Sequence, residues 1–369
     1  MQTVRLNRAA VAASAAVLFL LLCVITYLPS SSQNPHVVRA IRPNPKFELR
    51  PVSKTFNTQA IFGGRGMPAT IVDAADTLWI MGLRKEYEQA RDYIKENFDM
   101  NKATGTLSVF ETTIRFLGGL LSLFALTGEQ FYMSLGALGD SFYEYLIKSW
   151  LQSGKTDEQA RKMYWEVSKA MQEQMVMKSK SGLTYVAELR NGLPEHKMGH
   201  LACFSVGMFA LQAVNEKTEE ERLSTMKLAE ELGRTCHESY IRTTTHIGPE
   251  MFYFNGEEDA TSRNSENGYI LRPEVIEGFF YLWRLTGKPM YREWVWDAIQ
   301  AIDKYCRVEG GFSGIYDVYD PKKGHDDVQQ SFFLAETLKY AYLTFTDNSV
   351  VPLDKWVFNT EAHPLPVMS

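Results

Sequence analysis

The sequence predicts an all-α protein built from helical hairpins. Apolar segments alternate with charged amphipathic segments, in the pairs 69–83 and 84–98, 138–151 and 155–177, 199–214 and 218–240, and 271–285 and 288–305. A buried helix joined by a short turn to an exposed helix is a helical hairpin. Such hairpins stack into a solenoid or close into an α/α barrel. Segments rich in β-formers, at 183–189 and 251–254, predict small β-hairpins at one end.

The composition is that of a globular protein with a sizeable core. The chain has 369 residues, of which 45% are hydrophobic and 22% are charged. This length is enough for one large core or two ordinary ones. The net charge of −5 offers no basic surface to a polyanion, which argues against nucleic-acid binding.

The N-terminus predicts a membrane anchor. Residues 9–28 form an uncharged run of 20 residues, which as a helix spans about 30 Å, the thickness of a bilayer core. Arg5 and Arg8 precede the run and favour a cytosolic tail over residues 1–8. The alternative is a cleaved signal peptide, whose apolar region should be shorter. Residues 29–46, rich in Pro, Ser and Asn, predict a stem linker, and residues 47–369 a lumenal domain.

An internal repeat indicates a missing segment. Leu126-Thr127-Gly128 precedes Tyr132 by the same spacing that separates Leu285-Thr286-Gly287 from Tyr291. In both copies the glycine closes an apolar helix, as helix C-termini prefer. A charged partner helix follows Tyr291, but an apolar segment follows Tyr132 directly. We therefore expect a gap in the barrel near residues 132–133.

Several carboxylates lie on otherwise apolar helices. Glu111 and Arg115 are one turn apart, which fits either a structural ion pair or a catalytic acid tuned by burial. Glu274 and Glu277 share one face at a helix start, where they are either ordinary first-turn residues or binders of a cation, a water or a sugar. Glu336 lies on a further apolar helix. Several buried carboxylates in one barrel are costly unless they are used.

Asp140 and the cysteines can each be explained by a structural role. Taken alone, Asp140 is predicted to be the N-cap residue of the helix that follows it. Cys23 lies in the apolar run, so the other three cysteines allow at most one intrachain bridge, with one thiol left over. A zinc site is an alternative role for His196, His200 and Cys203. The spacing of these residues is, however, unlike that of the common zinc motifs.

Seven segments together resemble a known family. ATIVDAADTLWIMGL, SVFETTIRFLGGLLS, GALGDSFYEYLIKSW, EHKMGHLACF, YILRPEVIEGFFYLWRLTG, QQSFFLAETLKYAYLTF and VFNTEAHPLPV occur in the order found in class I α-1,2-mannosidases, glycoside hydrolase family 47. The resemblance runs from about Glu48 to Val367 and implies an (α/α)7 barrel. It also implies Ca2+-dependent, inverting removal of α-1,2-linked mannose from high-mannose N-glycans on glycoproteins. GALGDSFYEYL and RTCHESY are more similar to the Golgi subgroup, which implies a single-pass type II Golgi membrane protein, with the endoplasmic reticulum as the alternative.

The resemblance also implies roles for individual residues. It assigns the general acid to Glu111 and the base to Glu274 or Asp140, with Glu274 favoured. It places four residues in the substrate site: Arg115, His200, Arg272 and Phe332. It assigns direct binding of Ca2+ to Thr360, and a place around the ion and its waters to Glu277, Glu336 and Glu361. Cys203 and Cys236 match the family disulfide, which we favour over zinc, and Cys306 stays unpaired.

The chain also departs from the family pattern. The stem replaces the first barrel helix, and the gap near 132–133 removes several helices, including a block whose glutamate lines the sugar site. Two hypotheses follow: an active mannosidase, or a catalytically silent glycan-binding or regulatory isoform of the same family. A third hypothesis is an unrelated α/α-barrel lyase or cyclase, but the sequence contains no motif that would indicate either activity.

Overall fold

The structure is a computed structural model that describes residues 48–57, 68–98, 108, 111–127, 142–190, 193–254, 259–263 and 265–368. The expected tail, anchor and stem, the gap near 132–133, and Asp140 lie outside these residues. Within them, no helix combines the length and the apolar character needed to cross a bilayer.

Helices dominate the described part of the chain and follow the expected hairpin order. The apolar members are α1 (Ala69–Ile80), α3 (Gly118–Thr127), α4 (Phe142–Gln152), α6 (Phe204–Ala213), α8 (Glu274–Thr286) and α10 (Leu338–Phe345). The amphipathic members are α2 (Arg84–Asn97), α5 (Glu158–Gln174), α7 (Glu219–Ile241) and α9 (Met290–Cys306). The all-α prediction is therefore confirmed.

Local sequence signals explain where several helices begin and end. Thr218 and Glu221 form a reciprocal capping box at the start of α7. Asp157 caps α5, so this helix begins at Glu158 rather than at residue 155. Gly287 closes α8 in the left-handed conformation, at φ 68°, as the repeat predicts.

Two-stranded antiparallel hairpins decorate the helices. They pair β1 (Glu48–Arg50) with β2 (Thr55–Asn57), β3 (Val176–Lys178) with β4 (Thr184–Val186), β5 (Glu188–Arg190) with β6 (Leu193–Glu195), β7 (Lys197–Gly199) with β8 (Met251–Tyr253), β9 (Arg307–Val308) with β10 (Gly311–Phe312), and β11 (Trp356–Phe358) with β12 (Pro364–Pro366). The prediction of a helix from residue 199 is wrong, because Gly199 ends β7, where it pairs with Met251 of β8, and α6 begins only at Phe204.

The apolar core has two parts. A small cluster joins α1, α2 and α3 through residues such as Val72, Tyr87 and Leu123, and a larger one joins the remaining helices. Buried polar contacts connect the two parts. Asp76 of α1 pairs with Lys339 of α10 at 2.7 Å and with the Nδ1 atom of His363 at 2.7 Å. These contacts hold the N-terminal helices against the C-terminal segment.

Two short π-helices stand in the apolar helical layer. One covers Thr112–Leu117 directly before α3, and the other covers Phe333–Thr337 directly before α10. The first carries Arg115 and the second carries Glu336. The wider turn of a π-helix is frequent at functional sites.

Candidate active site

Arg115 is the centre of one buried group of charges. Its Nε donates to the Oε2 atom of Glu111 at 2.6 Å, which is the one-turn pair expected from the sequence. Its Nη1 donates to the Ser331 hydroxyl at 3.0 Å and also contacts the carboxylates of Asp73, at 3.3 Å, and Glu361. The guanidinium is therefore shared among three carboxylates, which hold the Arg115 pKa above its usual value although burial opposes this.

An aromatic ring lies beside this group. Phe332 precedes the second π-helix, and its ring centroid is 5.8 Å from the Cζ atom of Arg115. An apolar ring face next to a guanidinium fits a sugar, whose C–H face packs on the ring while its hydroxyls bond to charged groups.

Glu274 is the centre of a second group, at the first residue of α8. Its Oε2 is 2.8 Å from the Nδ1 atom of His200, and its Oε1 is 3.7 Å from the Nη1 atom of Arg272. Arg272 is itself held by a forked contact from its Nε to both oxygens of Glu250, at 2.8 and 2.9 Å. Burial acts to raise the pKa of Glu274, but the His200 hydrogen bond and the charge of Arg272 lower it below its usual value.

Glu277 lies one turn further along α8, and its pKa is shifted in the opposite direction to that of Glu274. Burial raises its pKa to about 8, against the attraction of Lys148, whose Nζ is 3.6 Å from Oε1. Tyr340 donates to the same oxygen at 3.1 Å. Lys148 is shared, because it also pairs with Glu144 one turn before it on α4.

Glu336 and Glu361 carry the remaining buried negative charge. Burial raises the pKa of Glu336 well above its usual value, and the charges of Glu361, Glu277 and Glu274 raise it further. The pKa of Glu361 is likewise raised well above its usual value, by burial first, against the attraction of Arg115. The Glu336 carboxyl group thus feels the charges of residues in both groups.

The structure brings most of the expected site residues together. The first group contains Glu111, Arg115, Phe332 and Glu361, and the second contains His200, Arg272, Glu274 and Glu277. Thr360 is half-buried next to Glu361, and its hydroxyl is 3.3 Å from the Tyr145 hydroxyl. Asp140 lies outside the described residues, so its role stays a prediction.

The disulfide that the resemblance implies joins Cys203 to Cys236. Cys306 is free and buried. His196 contacts the Tyr185 hydroxyl through Nδ1 at 2.6 Å, whereas His200 contacts Glu274 and Tyr240, so the two histidines have separate partners.

Several contributors were missed from the sequence, among them Asp73, Lys148, Tyr240 and Glu250. Asp73 and Lys148 lie in quoted motif segments, and a charged residue on an apolar helix was the signal that could have found them. Tyr240 and Glu250 carry no such signal, because they reach the site only through tertiary contacts with His200 and Arg272.

Glycosyl hydrolases use pairs of acidic side chains as acid and base, and several buried acidic side chains lie in this site. Residues 44–134 and 129–367 match the model of glycosyl hydrolase family 47, and this chain belongs to that family.

Relatives and a solved structure agree with this assignment. The chain is 55% identical to mannosyl-oligosaccharide 1,2-alpha-mannosidase mans-2 of Caenorhabditis elegans, over 87% of this chain and 72% of that protein. It is 40% identical to mannosyl-oligosaccharide 1,2-alpha-mannosidase IA of Sus scrofa, over 88% of this chain but 65% of the relative, so it spans only part of each. The alpha-1,2-mannosidase from Trichoderma reesei shares the fold, with a TM-score of 0.77 at 21% identity, covering 96% of this chain and 99% of that chain.

Proposed function

We propose that this chain hydrolyses terminal α-1,2-linked mannose from high-mannose N-glycans, with inversion at the anomeric carbon. The observation that carries the proposal is the match to family 47, together with the placement of Glu274, whose Oε2 lies 2.8 Å from the Nδ1 atom of His200. The carboxyl groups around it also differ in pKa. Glu274 is held ionised by His200 and Arg272, whereas burial and neighbouring charges raise the pKa values of Glu336 and Glu361. Groups in one site whose pKa values are pushed apart are typical of acid–base catalysis.

The proposed roles follow the resemblance to family 47, and the contacts of Glu274 and Phe332 support them. Glu274, as a carboxylate, accepts a proton from the attacking water. Glu111, next to Arg115, supplies the proton that the leaving sugar oxygen requires, and Phe332 packs against the ring of the mannose. Inverting hydrolysis needs such an acid and base on opposite sides of the glycosidic bond.

We also propose that the site uses Ca2+. Thr360 would bind the ion, and Glu277, Glu336 and Glu361 would hold its waters. The donor set fits, since it consists of oxygen atoms and carries buried negative charge that a divalent cation compensates. Among the described residues, no three His, Cys, Asp or Glu side chains are gathered so as to hold an ion directly. Ca2+ would orient sugar hydroxyls and a water.

The cellular place is a further proposal. We propose a Golgi membrane protein of type II topology, anchored by residues 9–28, with the endoplasmic reticulum as the alternative. Protease protection in sealed microsomes tests the topology, because a lumenal domain survives digestion until detergent is added. Co-localisation with markers of the two compartments separates the alternatives.

A catalytically silent glycan-binding form is the second candidate. The family match is divided near residues 129–134, and the alignment with the nematode relative runs over 427 residues, more than the 369 of this chain. The relative therefore carries residues that this chain lacks. These findings support the proposed gap near 132–133, which would remove part of the sugar site.

Mannose release decides between the two candidates. The full-length protein is incubated with a nine-mannose glycan and Ca2+, and products are followed by mass spectrometry. Glu274→Gln should abolish release, because an amide cannot accept the proton, whereas Glu219→Gln on the surface of α7 should not change it. Glycan binding without release by folded wild-type protein would favour the silent form.

A further inference from the structure

The imidazole of His200 lies between two side chains with which it makes short contacts. Its Nδ1 is 2.8 Å from the Oε2 atom of Glu274, and its Nε2 is 2.7 Å from the Tyr240 hydroxyl. The ring is fully buried. Because a buried polar atom without a partner is costly, both contacts are needed to keep the ring in place.

The direction of both hydrogen bonds follows from the states of the two partners. Glu274 has a lowered pKa and is a carboxylate, which only accepts hydrogen bonds, so the proton lies on Nδ1 of His200. Burial foremost raises the pKa of Tyr240 well above its usual value, so its hydroxyl keeps its proton. When the imidazole carries this one proton, Nε2 is an acceptor and the Tyr240 hydroxyl is its donor.

A disulfide connects the two segments that carry His200 and Tyr240. Cys203 follows His200 by three residues, Cys236 precedes Tyr240 by one turn of α7, and the disulfide joins the two cysteines. The Cys203 N–H donates to the His200 carbonyl at 3.0 Å. The crosslink therefore fixes the segment that carries the imidazole against the helix that carries the tyrosine.

We propose that Tyr240 is a positioning residue for the hydrolysis proposed above, on which this inference rests. The Tyr240 hydroxyl donates to Nε2 and thereby orients His200. The Nδ1–H of His200 then donates to Oε2 of Glu274, and Oε1 is left to act as the base. Oε1 is 3.7 Å from the Nη1 atom of Arg272, close enough for attraction but too far for a hydrogen bond.

The proton balance of this step is complete. An O–H bond of the attacking water breaks and its proton goes to Oε1 of Glu274, while the water oxygen bonds to the anomeric carbon. The glycosidic C–O bond breaks with its electron pair staying on the leaving oxygen, and this oxygen takes the carboxyl proton of Glu111, which becomes a carboxylate beside Arg115.

Tyr240→Phe tests the proposal, with Tyr164→Phe as the matched control. Tyr164 is also fully buried, and its hydroxyl is 3.0 Å from the Oε1 atom of Gln212, away from the site. Both variants lose one buried hydroxyl and keep the ring. We expect Tyr240→Phe to lower kcat about tenfold to a hundredfold, with KM within about twofold of wild type. We expect Tyr164→Phe to leave both constants within about twofold.

The pH profile distinguishes positioning from a loss of stability. A poorly oriented His200 stabilises the Glu274 carboxylate less, so the acidic limb of kcat/KM should move to higher pH in Tyr240→Phe only. The titratable groups around Glu274 stay unchanged in both variants: His200, Arg272 with its partner Glu250, Glu277, Glu336, and Tyr269, which contacts the Tyr240 hydroxyl and lies beside the His200 ring. An unmoved limb, with kcat matching that of Tyr164→Phe, would overturn the proposal.

A second readout does not depend on turnover. In full-length protein labelled with 15N-histidine, with His200 assigned by a His200→Gln variant, we expect a proton on Nδ1 and none on Nε2. The Nε2 signal should shift in Tyr240→Phe and stay in place in Tyr164→Phe. If wild type releases no mannose, the proposed function fails while these spectra still test Tyr240. A proton on Nε2 of wild type, or identical spectra for wild type and Tyr240→Phe, would contradict the positioning role.

Discussion

Removing the charge of Glu277 should stabilise the Ca2+-free protein at alkaline pH. Burial raises the pKa of this carboxyl from 4.5 to about 8, and Lys148, 3.6 Å away, only partly compensates its charge. The folded state therefore holds the proton more tightly than the unfolded state. It follows that the contribution of Glu277 to stability is fully present below pH 4.5 and is lost as the pH rises towards 8.

The magnitude follows from the difference between the two pKa values. Each pKa unit corresponds to about 1.4 kcal/mol, so ionising Glu277 at pH 8 costs up to roughly 5 kcal/mol of unfolding free energy. Glu277→Gln has no such cost and keeps an oxygen that accepts from Tyr340, at 3.1 Å in the wild type. We expect the variant to be about 2–4 kcal/mol more stable than wild type at pH 8, with little difference near pH 5.

Urea unfolding in the presence of a chelator, at pH 5.5, 7 and 8, measures this difference. Glu219→Gln is the control, since its side chain is 74% exposed and its loss should change stability little at any pH. Saturating Ca2+ should reverse the order at pH 8, because the ion compensates the ionised wild-type carboxylate. A chelated wild type as stable as Glu277→Gln at pH 8 would refute the reasoning.

Two further predictions concern the ion and the arginine. Thr360→Val should reduce the rise in Tm that saturating Ca2+ produces, because a ligand that binds only the folded state stabilises it by mass action. An unchanged Ca2+-dependent shift in a thermal melt would exclude the hydroxyl as a ligand. Arg115→Met should cost about 3–5 kcal/mol of unfolding free energy, since it leaves Asp73 and Glu361 buried, and Glu111 partly buried, without their shared cation. Arg115→Lys, which keeps the charge, should cost less in the same urea titration, and equal losses would contradict the electrostatic explanation.

The elements that could be predicted from the sequence are those with local causes. The alternation of apolar and amphipathic segments indicated the hairpins, because the spacing of apolar residues within a segment shows the helical period. Gly287 indicated the end of α8 because few residues other than glycine adopt the left-handed conformation easily. The Glu111–Arg115 pair was visible because residues four apart on a helix are neighbours. The motif segments that resemble the family occur in the family's order, and they indicated the candidate site residues.

Tertiary structure alone decided the state of each group in the site. Arg115 is bound by Asp73 and Glu361, which are 42 and 246 residues away along the chain, and His200 is held by Tyr240, 40 residues away. Whether a carboxyl keeps its proton depends on burial and on the charges that the fold brings near it, and no local pattern records these. Hence Glu274 and Glu277, three residues apart on one helix, have pKa values shifted in opposite directions. The sequence indicated most of the candidate site residues, whereas folding determined which further side chains contact them and in which direction their pKa values shift, because pKa values respond to distances in space.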